Sequence, residues 1–184
     1  MSAPSNIPRR KLVPHPASPR SPVQEIMVGA TRHEDSLLLN YRVVGVLGAV
    51  RMPELRPPVH TDELWRHTCF EAFVGDSASG EYCEYNFSPS GAWAAYHFSG
   101  YRTDMQPLKG GGAPTFSFDL QDGALVLAAH LDLEPLSHRD GDTVRLGVTA
   151  VIEDRSGKLS YWALRHPAGK PDFHHADAFN VELG

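Results

Sequence analysis

Four side chains suited to binding a polar ligand lie near one another in the sequence: Trp65, Glu71, Glu84 and Asn86. Carboxylate and amide groups exchange hydrogen bonds with hydroxyls, and an indole ring packs against the apolar C–H patches of a sugar ring. Two further tryptophans and an arginine, which donates hydrogen bonds, follow later in the chain and join the candidate set: Trp93, Trp162 and Arg102. The set predicts a face that binds a ligand by aromatic stacking and hydrogen bonds, without covalent chemistry.

The two glutamates also suggest an enzymatic alternative. Carboxylates on adjacent strands can lie about 5–9 Å apart, the range used in glycoside hydrolysis, so Glu71 and Glu84 could act as general acid and base. No other feature of the sequence indicates a catalytic cleft, and we therefore expect no enzyme. Glutamates exposed on a flat sheet, with no mutual effect on their pKa values, would exclude the alternative.

Several histidines near the C-terminal end of the sequence suggest a metal site as another alternative. His166, His174 and His175 cluster there, and Asp172 and Asp177 could supply oxygen ligands, for example to calcium. Adjacent histidines point to opposite faces of an extended chain, so His174 and His175 would rarely share one ion. We interpret these residues as loop and capping residues and predict no metal and no other cofactor.

Alternation of apolar and polar residues places the candidate side chains on β-strands. The clearest runs with a period of two residues cover 37–47, 69–74, 82–88, 125–131 and 144–152. Clusters of turn-forming residues separate the runs, among them Ser88–Gly91, Asp122–Gly123 and Asp140–Gly141. This pattern predicts an all-β fold, an antiparallel β-sandwich or jelly roll of about ten strands.

Consecutive strands between Leu64 and Arg102 would bring the candidates onto one sheet face. If the apolar rows point into the core, the other face carries Glu71, Tyr82, Glu84, Asn86, Ser88, Trp93 and His97. Trp65 precedes the first of these strands and would overhang the same face. The predicted binding site is therefore a sheet face rather than a loop.

Composition and charge restrict the possible functions of the protein. The 184 residues suit one domain, and a net charge of -5 with a pI of about 6.0 argues against a nucleic-acid binder. No apolar run follows the basic N-terminus and no stretch is long enough to span a bilayer, so we expect a cytoplasmic protein without a membrane partner. The two cysteines, Cys69 and Cys83, are interpreted as buried reduced thiols.

The N-terminus differs from the rest of the chain. Residues 1–21 are rich in Pro, Ser and Arg, which predicts a tail that lies over the domain or is partly disordered. The domain itself is predicted to cover residues 22–184. Oligomeric state has no signal in the sequence.

Several motifs resemble a known family. Leu64–Trp65, Thr68–Phe73, Glu84–Gly91 and Trp93 together resemble the bacterial DOMON-like domains, which are similar to the family 9 carbohydrate-binding modules. The resemblance covers about residues 23–184. It implies a β-sandwich that holds the end of a sugar chain between two aromatic rings, with an oligosaccharide or another small molecule as partner.

The resemblance also implies roles for individual residues. Trp65 corresponds to one stacking ring and Glu71 to the carboxylate that follows it, while the second ring is either Trp162 or Trp93. DOMON relatives also bind haem through Met and His ligands, for which Met52 and Met105 are the methionine candidates.

A further alternative is an accessory protein-interaction domain that has lost the sugar site. In that case Arg102 and Arg165 could pair with Glu71 or Glu84 and close the face as an ion network. An open groove beside Trp65 would favour ligand binding, and a filled one would favour a scaffold.

Overall fold

Alternating apolar residues form a single continuous system of antiparallel strands. The computed structural model describes residues 5–76, 79–110, 112–134 and 143–184. The strands are β1 (Ser5–Pro14), β2 (Val23–His33), β3 (Ser36–Gly45), β4 (Cys69–Asp76), β5 (Tyr82–Phe87), β6 (Trp93–Phe98), β7 (Gln106–Pro107), β8 (Thr115–Gln121), β9 (Ala124–Asp132), β10 (Val144–Glu153), β11 (Leu159–Ala163) and β12 (Val181–Leu183). Short 3-10 turns occur at Leu47–Ala49, Leu64–Arg66 and Ala176–Ala178.

The strands follow the order β7-β6-β5-β4-β10-β11-β1-β2-β3-β9-β8, and β12 pairs with β10 at the side. Strand β1 connects the two halves, since Ser5–Leu12 pair with β2 while Val13 and Pro14 pair with β11. The sheet curls around one apolar core, which confirms the predicted all-β antiparallel sandwich. The predicted turn at Asp140–Gly141 lies outside the described residues.

The main core lies between the two halves and contains residues from both. Tyr41 on β3, Phe70 on β4, Phe87 on β5 and Leu127 on β9 are each almost completely buried in it. Residues of β4 alternate as predicted: Phe70, Ala72 and Val74 face this core. Cys69 and Cys83 are free and buried, which confirms their interpretation as thiols.

A second apolar cluster covers the opposite face of β4, β5, β6 and β10. We call it the outer cluster, and its buried members are Phe73, Tyr82, Ala94, Tyr96, Phe98, Val151, Ala163, Phe173, Ala178 and Phe179. The face that the sequence suggested would bind a ligand is therefore largely covered. Segments outside the strands supply part of the cover: the turn at Leu64–Arg66 and residues 171–179.

The N-terminal segment corrects the predicted domain boundary. Residues 1–21 were expected to form a tail that lies over the domain or is partly disordered, yet Ser5–Pro14 form strand β1 within the sheet. Leu12 explains the pairing, because its side chain has no exposed surface and belongs to the main core. Because the segment is rich in Pro and Arg, the burial of Leu12 was not recognised from the sequence.

The register of β6 corrects a second prediction. Trp93 pairs with Phe87, and Tyr96 pairs with Glu84. Directly opposite residues of an antiparallel pair point to the same face. Trp93 and His97 therefore lie on the main-core side of β6, and Tyr96 takes the place beside Glu84.

Among the described residues, the structure contains no helix with the length and apolar character that crossing a membrane requires.

Candidate functional site

A cavity of about 390 Å³ opens on the outer side of β4, β5, β10 and β11. Glu71 and Glu84 lie in it together with apolar side chains of the outer cluster. Its lining residues are Trp65, Arg66, Glu71, Phe73, Glu84, Phe98, Arg102, Met105, Val151, Leu159, Tyr161, Pro171, Phe173 and His174. Four of the seven predicted ligand-binding residues thus share one cavity: Trp65, Glu71, Glu84 and Arg102. We call this cavity the Trp65 pocket.

Trp65 is placed by a short 3-10 turn rather than by a strand. The turn starts after Glu63, whose backbone is left-handed (φ 63°), and closes with a 3.1 Å hydrogen bond from His67 N to Leu64 O. The half-buried indole ring meets Tyr96 edge-on, with ring centroids 6.1 Å apart. Packing against Tyr96 therefore fixes the position of the Trp65 ring, while part of the ring stays accessible.

Glu71 is 2% exposed and lies on β4. Its Oε2 atom accepts a 2.8 Å hydrogen bond from Thr149 Oγ1 on the neighbouring strand β10. Burial raises the pKa of Glu71 to about 8, and the nearby charge of Glu84 contributes to the rise. Both causes disfavour the ionised form.

Glu84 lies on β5 and is 4% exposed. Its Oε1 atom accepts a 2.8 Å hydrogen bond from Asn86 Nδ2, and Asn86 Oδ1 in turn lies 3.5 Å from Cys69 Sγ. Burial raises the pKa of Glu84 to about 7, although Asn86 and Arg102 favour its ionised form. Asn86 has no exposed surface and does not line the pocket, so it positions Glu84 instead of contacting a ligand.

The two glutamates act on each other electrostatically. Glu71 pairs with Asn86 and Glu84 pairs with Phe73, which makes the glutamates diagonal neighbours on one face of β4 and β5. Near neutral pH such a buried pair keeps a proton. A protonated carboxyl both donates and accepts hydrogen bonds, which an ionised one cannot. The exposed arrangement that would have excluded an enzyme is therefore not found.

His174 also lines the Trp65 pocket, and it was not among the predicted ligand-binding residues. Its Nδ1 lies 2.7 Å from Tyr82 Oη, which itself accepts a hydrogen bond from the backbone N–H of Arg102 at 3.2 Å. If the Tyr82 hydroxyl donates to Nδ1, Nε2 carries the proton of the neutral ring. Nε2 lies 3.7 Å from Glu84 Oε2. Burial, with a smaller contribution from the charge of Arg102, lowers the pKa of His174 to about 4.

Arg102 lies at the rim and pairs with a different acid from those predicted. Its Nη2 lies 2.9 Å from Asp172 Oδ1, and Tyr101 Oη also donates to Asp172. Arg102 therefore does not close the face as an ion network with Glu71 or Glu84. Arg165 is exposed and forms no ion pair with either glutamate in the part of the chain that the structure describes.

The other two tryptophans lie outside the Trp65 pocket. Trp162 is 3% exposed, belongs to the main core, and donates a 3.1 Å hydrogen bond from Nε1 to Ser160 Oγ. Trp93 packs against the main core and meets His60 edge-on at 5.2 Å. Neither ring is placed to face Trp65 across the pocket, so the predicted second stacking ring is not found at either position.

The remaining histidines and the methionines occupy separate places. His175 Nδ1 accepts a 3.2 Å hydrogen bond from Asp177 N, which is the capping role predicted for it, and His166 Nε2 lies 2.9 Å from Val13 O. Among the described residues, no group of three or more His, Cys, Asp or Glu side chains is arranged to hold a metal ion. Met105 lines the Trp65 pocket, whereas Met52 does not.

No family model and no curated protein matches the chain in sequence comparison. The solved structures with a similar fold include a protein of Bacteroides uniformis proposed to bind carbohydrate, with a TM-score of 0.68 at 15% identity, covering 98% of this chain and 83% of that one.

Two further structures are family 9 carbohydrate-binding modules from Caldicellulosiruptor kristjanssonii. The module in complex with glucose has a TM-score of 0.55 at 11% identity and covers 95% of this chain and 82% of that one. The module in complex with cellotriose has a TM-score of 0.51 at 12% identity, covering 88% and 75%. The chain therefore has a β-sandwich fold similar to that of family 9 carbohydrate-binding modules.

Proposed function

We propose that this protein is a non-catalytic carbohydrate-binding module that holds a sugar residue in the Trp65 pocket. One observation carries the proposal: an accessible tryptophan and two buried carboxyl groups line the same cavity. Its volume of about 390 Å³ lies in the range of small-molecule sites. The similar folds that bind glucose and cellotriose support the proposal.

The apolar part of the pocket suits the faces of a pyranose ring. Trp65 offers an indole surface that Tyr96 holds in place, and Phe173 and Val151 line the same cavity. Stacking on a fixed aromatic ring costs little conformational entropy, because the protein side chain is already ordered. Trp65 is the proposed stacking ring.

The polar part suits hydroxyl groups. Glu71 and Glu84 offer acceptors, and a donor as well when one of them is protonated. Arg102, held by Asp172, adds a donor at the rim. A sugar hydroxyl needs both a donor and an acceptor, and this combination supplies them. Because the cavity is open, ligand binding fits better than a scaffold with a closed sugar site.

Calorimetric titration with glucose, cellobiose and a panel of other mono- and oligosaccharides tests the proposal. We expect saturable binding of at least one saccharide by the wild type, and a loss of about tenfold or more in affinity for Trp65→Leu, which keeps an apolar side chain but removes the flat ring. Trp93→Phe is the matched control, because Trp93 lies outside the pocket. A folded wild type that binds no saccharide would overturn the proposal.

The raised pKa values of the two glutamates favour a second candidate, a glycoside hydrolase that uses them as acid and base. Perturbed carboxyl groups in a cavity are a feature of active sites. Hydrolysis of aryl glycosides or reducing-end release from oligosaccharides, abolished in both Glu71→Gln and Glu84→Gln, would establish it. If saccharides bind and remain intact, the binding module stands.

A further inference from the structure

Glu71 and Glu84, which we call the floor of the Trp65 pocket, form no ion pair with a Lys or Arg side chain among the described residues. In the described residues, neither Glu71 nor Glu84 has a Lys or Arg nitrogen within 4.0 Å, and Arg102 in the same lining acts on Glu84 only from beyond that distance. His174 Nε2 lies 3.7 Å from Glu84 Oε2. Burial keeps that ring neutral because it lowers the pKa of His174. Buried carboxylates normally have a counter-charge. The counter-charge is missing here while the cavity remains open.

Glu71 presents an acceptor to this cavity. The side chain is almost completely buried and lines the pocket, and Thr149 donates only to Oε2. Among the described residues, no group donates a hydrogen bond to its second oxygen. A buried acceptor that faces an open cavity is a specific point of attachment for a donor on a ligand.

The positive charges at the rim are already balanced. Arg66 lies 2.7 Å from Glu63, and Arg102 lies 2.9 Å from Asp172. Both arginine side chains are half-exposed, so solvent further weakens their repulsion of a cation at the floor. The pocket as a whole therefore holds an excess of acidic groups.

From this charge distribution we infer that the Trp65 pocket prefers sugars that carry a protonated amine, with the ammonium group bound between Glu71 and Glu84. The inference rests on the proposed carbohydrate-binding function and names its ligand class. An ammonium group offers three donors and no acceptor, which matches two carboxylates that each keep one oxygen without a hydrogen-bond donor among the described residues. Its charge would replace the proton that the pair otherwise holds.

Proton release distinguishes this mode from ordinary sugar binding. Below the raised pKa values of the pair, the empty pocket holds its carboxyl groups mainly protonated. An ammonium ligand favours the ionised forms, so the carboxyl proton passes to the buffer on binding. Among the described residues, the titratable and charged groups that surround the pair on its neighbouring elements are Tyr41, Arg66, Cys69, Tyr82, Tyr96, Arg102, Tyr161, Asp172 and His174.

The test is titration with glucosamine, glucose and N-acetylglucosamine, at about pH 6.5 and in buffers of different ionisation enthalpy. We expect glucosamine to bind about tenfold or more tightly than glucose and to release about one proton, while the neutral sugars release almost none. In Glu71→Gln and Glu84→Gln, the preference for glucosamine should disappear. Glu54→Gln is the matched control, because it removes the same charge from an exposed glutamate that does not line the pocket, and it should keep the preference.

The outcomes separate the two proposals. If glucose and glucosamine bind equally, or glucosamine binds without proton release, the amine preference is wrong and the carbohydrate-binding proposal stands. If no sugar binds to the folded wild type, both are wrong. Retained preference in the two glutamine variants would also overturn the inference, since the floor would then not hold the amine.

Discussion

His174 Nδ1 and Tyr82 Oη lie 2.7 Å apart, and this contact joins a residue near the C-terminus to strand β5 beside Glu84. If Tyr82 donates in this contact, the proton of the neutral ring lies on Nε2, 3.7 Å from Glu84 Oε2. Burial keeps the ring neutral in the folded protein, which couples folding to pH. Burial lowers the pKa of His174 from 6.5 to about 4, so the folded protein disfavours the charged ring.

Acid should therefore destabilise the protein through His174. Below pH 6.5 the unfolded chain binds a proton at this residue and the folded chain does not, so the free energy of unfolding falls as the pH drops towards about 4. We expect His174→Asn, whose amide oxygen can still accept from Tyr82, to lose roughly 1–2 kcal/mol less over this window than the wild type. Urea denaturation at several pH values measures the difference. Parallel curves for the two proteins would contradict the prediction.

The glutamate pair should have the opposite pH dependence. The pKa of Glu71 rises from 4.5 to about 8 on folding, so its contribution to stability is fully present below about pH 4.5 and is lost as the pH rises through about 8. We expect Glu71→Gln to be more stable than the wild type at pH 8.5 by roughly 2 kcal/mol, with little or no gain at pH 5. Thermal and urea denaturation check this, with Glu63→Gln as the surface control. A gain of equal size at both pH values would refute titration of Glu71 as the cause.

Gly91 is needed in the turn between β5 and β6. Its backbone is left-handed (φ +93°), and a Cβ atom there would lie 2.8 Å from Arg56 O. Gly91→Ala should lower the free energy of unfolding by about 1–3 kcal/mol, because both the backbone conformation and the close approach oppose a side chain. Gly100→Ala is the matched control, since a Cβ atom at Gly100 meets nothing within 4 Å. Equal effects in the two variants would show that the turn tolerates a side chain.

Much of the fold was predictable because burial follows a period of two residues. The rows Phe70–Ala72–Val74 and Leu125–Leu127–Ala129 read correctly as core faces. Strand β1 was missed because its few apolar residues are interspersed with prolines and arginines. The partner of Leu12, Ile26, and the partner of Val13, Ala163, belong to two strands outside the segment. Pairing with two such strands stabilises the segment, and no local pattern reveals it.

The site was only partly predictable for a similar reason. Trp65, Glu71 and Glu84 were selected because carboxylates alternate with apolar residues near a tryptophan, and they share the pocket. Trp93 was placed on the wrong face because the small residues Ala94 and Ala95 leave the phase of β6 ambiguous. His174 was considered only as a possible metal ligand, since its contacts with Tyr82 and Glu84 join segments far apart in the sequence.

The most direct test of the central claim is to follow the indole N–H resonances of Trp65, Trp93 and Trp162 by ¹⁵N NMR during titration with the saccharide that binds best, assigning them with Trp65→Leu and Trp93→Phe. The Trp65 resonance should shift saturably, because its ring contacts the ligand, and that of Trp162 should remain in place, because its N–H is buried against Ser160. A Trp65 resonance that stays unchanged at saturating ligand would contradict the placement of sugar in the Trp65 pocket.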